Sequence, residues 1–236
     1  MRFLNNISFE KQKIVLNQIP TLFKFIDKKQ TEELQEFILN IYQHMFQYCI
    51  NRSKKIEELA VRKSGCNIRY IANPSYKIIE LALESDPDAI RYIYRSVPEK
   101  FQLKAVEFNV ENLQYLKNPT EKTILTTIYQ DPFVIRYVSN QTNQMKELAI
   151  KREGSAIKYV KNPSLELQKL AIDQDSRNFY QIFHSSPAKE ITDYHDQVEK
   201  REQEEAFKQL EKSGKPFYSD KKGRTVKVFD LPTSKS

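Results

Sequence analysis

One triplet, an apolar residue followed by a polar residue and an aromatic ring, recurs along the chain at a nearly fixed interval. It reads Ile157-Lys158-Tyr159, and earlier Ile135-Arg136-Tyr137, Leu113-Gln114-Tyr115, Ile90-Arg91-Tyr92, Ile68-Arg69-Tyr70 and Phe46-Gln47-Tyr48. The tyrosines at 159, 137, 115, 92, 70 and 48 are therefore 22, 22, 23, 22 and 22 residues apart. A unit this small cannot bury its own apolar face, so the copies must stack on one another to make a core. A second column keeps the same register: Ile38, Ala60, Ala82, Ala105, Thr127, Ala149 and Ala171. Small residues at one recurring place are what helices need where they approach most closely. The period extends towards the start, where Phe23-Lys24-Phe25 precedes Phe46 by one step and Gln12 to Gln18 echoes Gln168 to Gln174. The first copies are the most degenerate, as terminal repeats often are.

Within a unit, Asn-Pro-Ser marks a helix start. Asn73 is expected to accept from the unpaired N–H groups, with Pro74 at the first helical position, where its missing N–H costs nothing. Asn51, Asn118, Asn140 and Asn162 hold the same place. About ten residues with helical apolar spacing follow, as in Ile78, Ile79, Leu81, Ala82 and Leu83. A polar turn then stops the helix at Asp86-Pro87, Asn109, Asp131-Pro132, Glu153-Gly154 and Asp175. Because the turn formers recur, Asp86 and Asp88 read as termination chemistry and not as paired catalytic carboxylates. A shorter helical turn, Ala89 to Ile93, completes the unit. Two full helices of a HEAT or tetratricopeptide pair do not fit in this length. The predicted fold is all-α: a right-handed α-solenoid of about eight 22–23-residue repeats, each an α-helix alternating with a short helix.

These residues resemble the leucine-rich-repeat variant, whose units also alternate an α-helix with a short tight helix across Asp-Pro and Asn-Pro turns. The phrase Ile157-Lys158-Tyr159-Val160-Lys161-Asn162-Pro163-Ser164 is similar to uncharacterised short helical repeats of large DNA phages and giant viruses. The resemblance covers about residues 1 to 187. It implies an architecture and a phage or viral setting, and no activity. The iron–sulfur cluster of one variant type sits on a cysteine-rich extension that has no counterpart here.

Beyond Pro187 the register fails. Asp193 to Lys212 reads as a highly charged helix stopped at Gly214, either covering the last open face of the stack or presenting itself to a partner. Lys215 to Phe229 alternates apolar and polar residues around a Lys-Lys-Gly turn, which predicts a small β-hairpin. Leu231 to Ser236 reads as a frayed end. The domain reading is a solenoid over 1–187, a capping or partner helix over 188–214 and a hairpin-like or flexible tail over 215–236.

The chemistry-bearing residues are sparse. His44, His184 and His195 show no metal-ligand spacing, and Cys49 and Cys66 form neither a CxxC pair nor a disulfide framework. Cys49 occupies a column otherwise held by Ile71 and Ile93, as a small core residue would; Cys66 falls at a turn without a base nearby in the sequence. No Gly-rich phosphate loop and no membrane-length apolar run is present. These features predict no cofactor, metal, small-molecule substrate or membrane partner, and a reduced cytoplasmic setting, which for a viral protein is the host cytoplasm.

What remains is the middle position of the triplet. In a parallel stack Arg69, Arg91, Arg136 and Lys158 form a ladder of cations beside the tyrosines, with Arg95, Lys117 and Lys161 preceding the Asn column. The competing reading buries the tyrosine and lets its basic neighbour reach past it to water. Lys and Arg total 38 against 31 acids, a net charge of +7 and an excess modest enough for a solvated surface. The function expected is a non-enzymatic scaffold for a protein partner, such as a host protein or a virion component. The alternative is a nucleic-acid binder using the same ladder. A third reading, a helical-repeat DNA glycosylase, shares only general shape with this chain.

Overall fold

The computed structural model describes residues 4–26, 30–182, 189–213, 217–219 and 225–227. The chain divides into two compact units, Met1–Asn140 and Gln141–Ser236. The first unit contains six copies of one element pair. Its α-helices are α1 (Phe9–Gln18), α2 (Glu32–Ile41), α3 (Lys54–Lys63), α4 (Tyr76–Ser85), α5 (Glu99–Phe108) and α6 (Glu121–Gln130), all ten residues long. Each is followed by a six-residue 3-10 helix: Pro20–Phe25, Gln43–Tyr48, Gly65–Tyr70, Pro87–Tyr92, Val110–Tyr115 and Pro132–Tyr137. Successive α-helices pack on one another, and so do successive 3-10 helices, giving the two-layered stack of a small α-solenoid.

Caps mark the ends of most of these helices, although α1 and α5 reach the same length without a side-chain N-cap bond. Thr31, Ser53, Ser75 and Thr120 hold the N-cap positions, and their hydroxyls accept the N–H three residues on. Asp86, Asn109 and Asp131 end an α-helix and at once cap the next 3-10 helix, each accepting the N–H two residues on. The polar-turn column is therefore structural, as its periodicity indicates.

The Asn-Pro-Ser expectation is corrected in two respects, the capping residue and the place of the proline. The cap is the serine or threonine, Pro74 lies before it, and Asn73 does not cap. Asn51, Asn73, Asn118 and Asn162 instead adopt left-handed backbone, with φ of 48°, 53°, 53° and 47°. Asparagine tolerates that conformation better than other side chains except glycine. Among the described residues these are the only non-glycine positive φ values, so Asn140, placed in the same column, does not share the turn.

The core runs along the two repeated columns. Ile38, Ala60, Ala82, Ala105 and Thr127 are fully buried between the α-helices, while Phe46, Ile68, Ile90, Leu113 and Ile135 bury the apolar member of each triplet. A third column, not singled out in the sequence, is amide. Asn67 Nδ2 donates to the Ala60 carbonyl at 3.0 Å and to the Gln43 carbonyl, one repeat earlier, at 3.2 Å. Asn112 Nδ2 likewise donates to the Ala105 carbonyl at 3.0 Å and the Asp88 carboxylate at 2.9 Å. The Ala60 and Ala105 carbonyls also accept the C-cap N–H groups of Ser64 and Asn109, so each amide adds a second bond at a helix end and ties it to the preceding copy.

The second unit repeats the pattern twice, with α7 (Asn143–Arg152) and α8 (Leu165–Gln174), and 3-10 helices at Gly154–Tyr159 and Ser176–Asn178. A single turn, α9 (Phe179–Ile182), follows. The charged segment forms α10 (Lys189–Ser213), which packs on α8. Ile191 and Val198 bury against Ile172, and Lys169 pairs with Glu190 at 2.8 Å. His195, 3% exposed, stacks on Phe179 with ring centroids 4.1 Å apart. The first half of α10 thus covers α8. Strands β1 (Phe217–Ser219) and β2 (Thr225–Lys227) pair antiparallel, with Tyr218 opposite Val226, as the alternation predicts. The Pro187 boundary, His184, the Gly214 stop, the Lys-Lys-Gly turn and the 231–236 end lie outside the described residues.

Candidate interaction face

The 3-10 layer positions the predicted cations. A six-residue 3-10 helix turns its fourth residue into the core, as with Ile68 and Ile90, and the next two residues outward. The tyrosines are therefore not core residues. Tyr70, Tyr92 and Tyr137 are half-buried, and Tyr115 is 37% exposed. The tyrosines lie between the two readings, partly buried against the stack and partly solvated beside their basic neighbours.

Rings and cations interleave along this surface. The Arg69 guanidinium lies 4.7 Å from the Tyr70 ring centroid and 5.7 Å from that of Tyr92 in the next repeat. Arg91 lies 5.8 Å from Tyr115, again one repeat on. Arg136 lies 4.7 Å from its own Tyr137. Each contact holds a cation against the negative face of a ring.

Acids complete the pattern, and the sequence reading gave them no part in it. Arg91 donates to the Asp88 carboxylate at 2.7 Å and to the Asp88 carbonyl at 3.2 Å. Arg136 donates to Glu111 at 2.7 Å, and the Tyr137 hydroxyl donates to the same carboxylate. That hydrogen bond raises the Tyr137 phenol above its ordinary pKa. Arg91 and Arg136 thus stand in mixed-charge clusters rather than in a purely cationic track. For Arg91 the signal was available in spacing, since Asp88 precedes it by three residues; Glu111 lies 25 residues before Arg136, a separation that carries no local signal.

Arg69, Arg91 and Arg136 belong to this one face of the first unit. Arg95 donates to the Pro74 carbonyl and lies 5.2 Å from the Tyr76 ring. Lys117 lines a cleft beside Asn118 and Pro119. Lys158 and Lys161 belong to the second unit. Lys158 lies 5.0 Å from the Tyr159 ring; Lys161 contributes its backbone, its N–H donating to Gln141 Oε1 at 2.7 Å and its carbonyl accepting from Lys146 at 2.6 Å.

Gln141 and Gln30 were missed as structural residues. They stand in the column that elsewhere holds Pro74, Pro119 and Pro163, and clamp the turn of the next copy. Gln30 bonds the Tyr48 carbonyl and the Ile50 N–H, and Gln141 bonds the Tyr159 carbonyl and the Lys161 N–H. The identical offsets, 18 and 20 residues, were legible only once the bonds were known.

On the α-helical layer much of the remaining lysine is paired between repeats. Lys55 bonds Glu36 at 2.7 Å, and Lys77 with Glu58, Lys100 with Glu80 and Lys122 with Glu99 continue the series. Such exposed pairs add little stability. They do neutralise that layer.

Among the described residues, no group of three or more His, Cys, Asp and Glu side chains is placed to hold a metal ion, and no helix is long and apolar enough to cross a membrane. Burial pushes the Cys49 thiol up to about 12. Burial, with a 2.9 Å hydrogen bond to Asp86, pushes Cys66 up to about 11. Both are poor nucleophiles near neutral pH.

The fold and this face define an all-helical repeat scaffold with alternating α and 3-10 layers. Comparison with protein-family models, with curated proteins and with solved structures returns no match.

Proposed function

We propose that the chain is a non-enzymatic repeat scaffold that binds a protein partner through the 3-10 layer of its first unit. The observation that carries this reading is the mixed character of the face, in which Arg91 and Arg136 are held by Asp88 and Glu111. A phosphate backbone would meet those carboxylates, and would find glutamine at positions 47 and 114 where the column otherwise supplies cations. Protein interfaces favour what is present here: tyrosine and arginine held in place by neighbours, with polar groups of both signs around them. Stacked repeats also offer an extended surface suited to a macromolecule.

The resemblance of the repeat phrase to those of large phages and giant viruses supports placing the chain as a viral factor in the host cytoplasm, acting on a host protein or a virion component. The nucleic-acid alternative rests on Arg69 and Arg95. Anisotropy with a labelled single-stranded oligonucleotide at rising salt separates the two. Protein binding predicts no association at about 50 mM salt, whereas steep salt-dependent association replaces it with the nucleic-acid reading.

A further inference from the structure

The face contains two clefts at equivalent places two repeats apart. The first, of about 580 Å³, is bounded by the 3-10 helix Gly65–Tyr70, the Asn73-Pro74 turn and residues 92–95. The second, of about 540 Å³, lies between Leu113 and Asn140. Their linings correspond position by position. Where the first has Arg69, Tyr94 and Arg95, the second has Gln114, Ser139 and Asn140, and where the first has Ala72 the second has Lys117. The frame is shared, since Pro74 matches Pro119, Asn73 matches Asn118 and Tyr92 matches Tyr137. The repeat thus makes the cleft, and the substitutions put both guanidinium groups at the first cleft only.

That cleft has the composition of a binding site. No carboxylate is among its lining residues, so neither guanidinium faces an acid within it. Both are positioned, Arg69 against Tyr70 and Tyr92 and Arg95 against Tyr76 and the Pro74 carbonyl, so less side-chain freedom is lost when a ligand binds. Two large rings stand in water beside them, Tyr94 at 83% and Tyr76 at 59% exposure. A volume of this size falls within the range of pockets that enclose a ligand of a few linked groups.

Building on the protein-partner reading above, we infer that this cleft is the subsite for an acidic peptide segment of the partner. Carboxylates of that segment engage Arg69 and Arg95, and its apolar or aromatic side chains pack on Tyr94 and Tyr76. Arginine's planar fork matches a carboxylate in two parallel hydrogen bonds. A short acidic peptide is favoured over a nucleic acid because the charge does not continue along the face. Beyond the cleft Arg91 and Arg136 are already engaged by Asp88 and Glu111, so a polyanion that runs further gains little there, whereas a segment of a few residues ends before them.

The test is peptide phage display against the folded full-length chain, with Arg69→Ala/Arg95→Ala and Arg136→Ala/Lys117→Ala as parallel baits matched for thermal melting. The expected result is enrichment of Asp- and Glu-containing peptides on the wild-type chain. Affinity for a synthetic copy of the leading peptide should fall at least about tenfold in Arg69→Ala/Arg95→Ala and in Tyr94→Ala, and by less than about twofold in Arg136→Ala/Lys117→Ala. Lys replacements at 69 and 95 should recover only part of it, since lysine keeps the charge without the fork. An empty selection, selected peptides lacking acids, or acidic peptides whose affinity survives Arg69→Ala/Arg95→Ala overturns the subsite. Peptides lost only from Arg136→Ala/Lys117→Ala overturn it while leaving the protein-binding face standing. Preferential binding of a single-stranded oligonucleotide through Arg69 and Arg95 overturns both.

Discussion

A Cβ atom placed on Gly65 would lie 2.2 Å from the carbonyl oxygen of Ala82, in the α-helix of the next repeat. Backbone of one copy therefore rests on backbone of the next, and no side chain fits between them. Gly154 stands in the same column of the second unit, but its Cβ would meet the Asn178 side-chain amide at 2.6 Å. A side chain yields more readily than a helix. Gly65→Ala is expected to cost about 3 kcal/mol or more and Gly154→Ala about 1–2 kcal/mol, measured by urea unfolding. The reverse order would mean that the stack is looser at Gly65 than its geometry implies.

The division of labour in Asn73-Pro74-Ser75 is separable by substitution. Asn73→Ser preserves an N-cap residue type but places serine in left-handed backbone, so it should cost about 1 kcal/mol. Asn73→Gly should stay within a few tenths of that unit's starting stability. Ser75→Ala should cost about 1 kcal/mol, because the Ile78 N–H loses its acceptor. If Asn73→Ser were neutral and Ser75→Ala harmless, the cap would belong to Asn73 after all.

The two thiols set an alkaline limit. Their native pKa values, about 12 and about 11, lie above the ordinary 9.0. The unfolded chain therefore loses these protons first. Their contribution to stability is full below about pH 9 and is lost as pH rises through the native values. Unfolding midpoints should fall between about pH 9 and 11, and a Cys49→Ala/Cys66→Ala variant should fall less steeply over that window. Native-state labelling by iodoacetamide at pH 8 should be slow compared with labelling in urea.

The pairing of Arg136 with Glu111 should shape the surface without holding up the fold. Both side chains are about a third exposed, 32% and 39%, so a double-mutant cycle on thermal or urea unfolding should give a coupling of about 1 kcal/mol or less. A much larger coupling would show that loss of partner binding in Arg136→Ala reflects unfolding.

The period, the helix length and the core columns were legible because each is a local rule repeated many times. Ala60, Ala82 and Ala105 are small for one reason, and recurrence removes the ambiguity a single alanine would carry. The face was less legible because its bonds join residues of different copies. Arg136 meets Glu111 across 25 residues, Cys66 meets Asp86 across 20, and Gln30 reaches Tyr48 and Ile50. Nothing in a triplet's own composition distinguishes a cation over one ring from a cation between two rings. The misreading of Asn73 has a related cause. Asparagine suits both a cap and a left-handed turn, and only the backbone angle chooses between them.

Affinity capture from native extract, with the wild-type chain and with Arg69→Ala/Arg91→Ala/Arg136→Ala as baits and quantitative mass spectrometry as the readout, bears most directly on the protein-partner claim. A specific protein should be retained by the wild-type chain, survive nuclease treatment and be lost from the triple variant, whose thermal melting should stay within a few degrees of wild type. Equal recovery on both baits, or recovery abolished by nuclease, would contradict the claim.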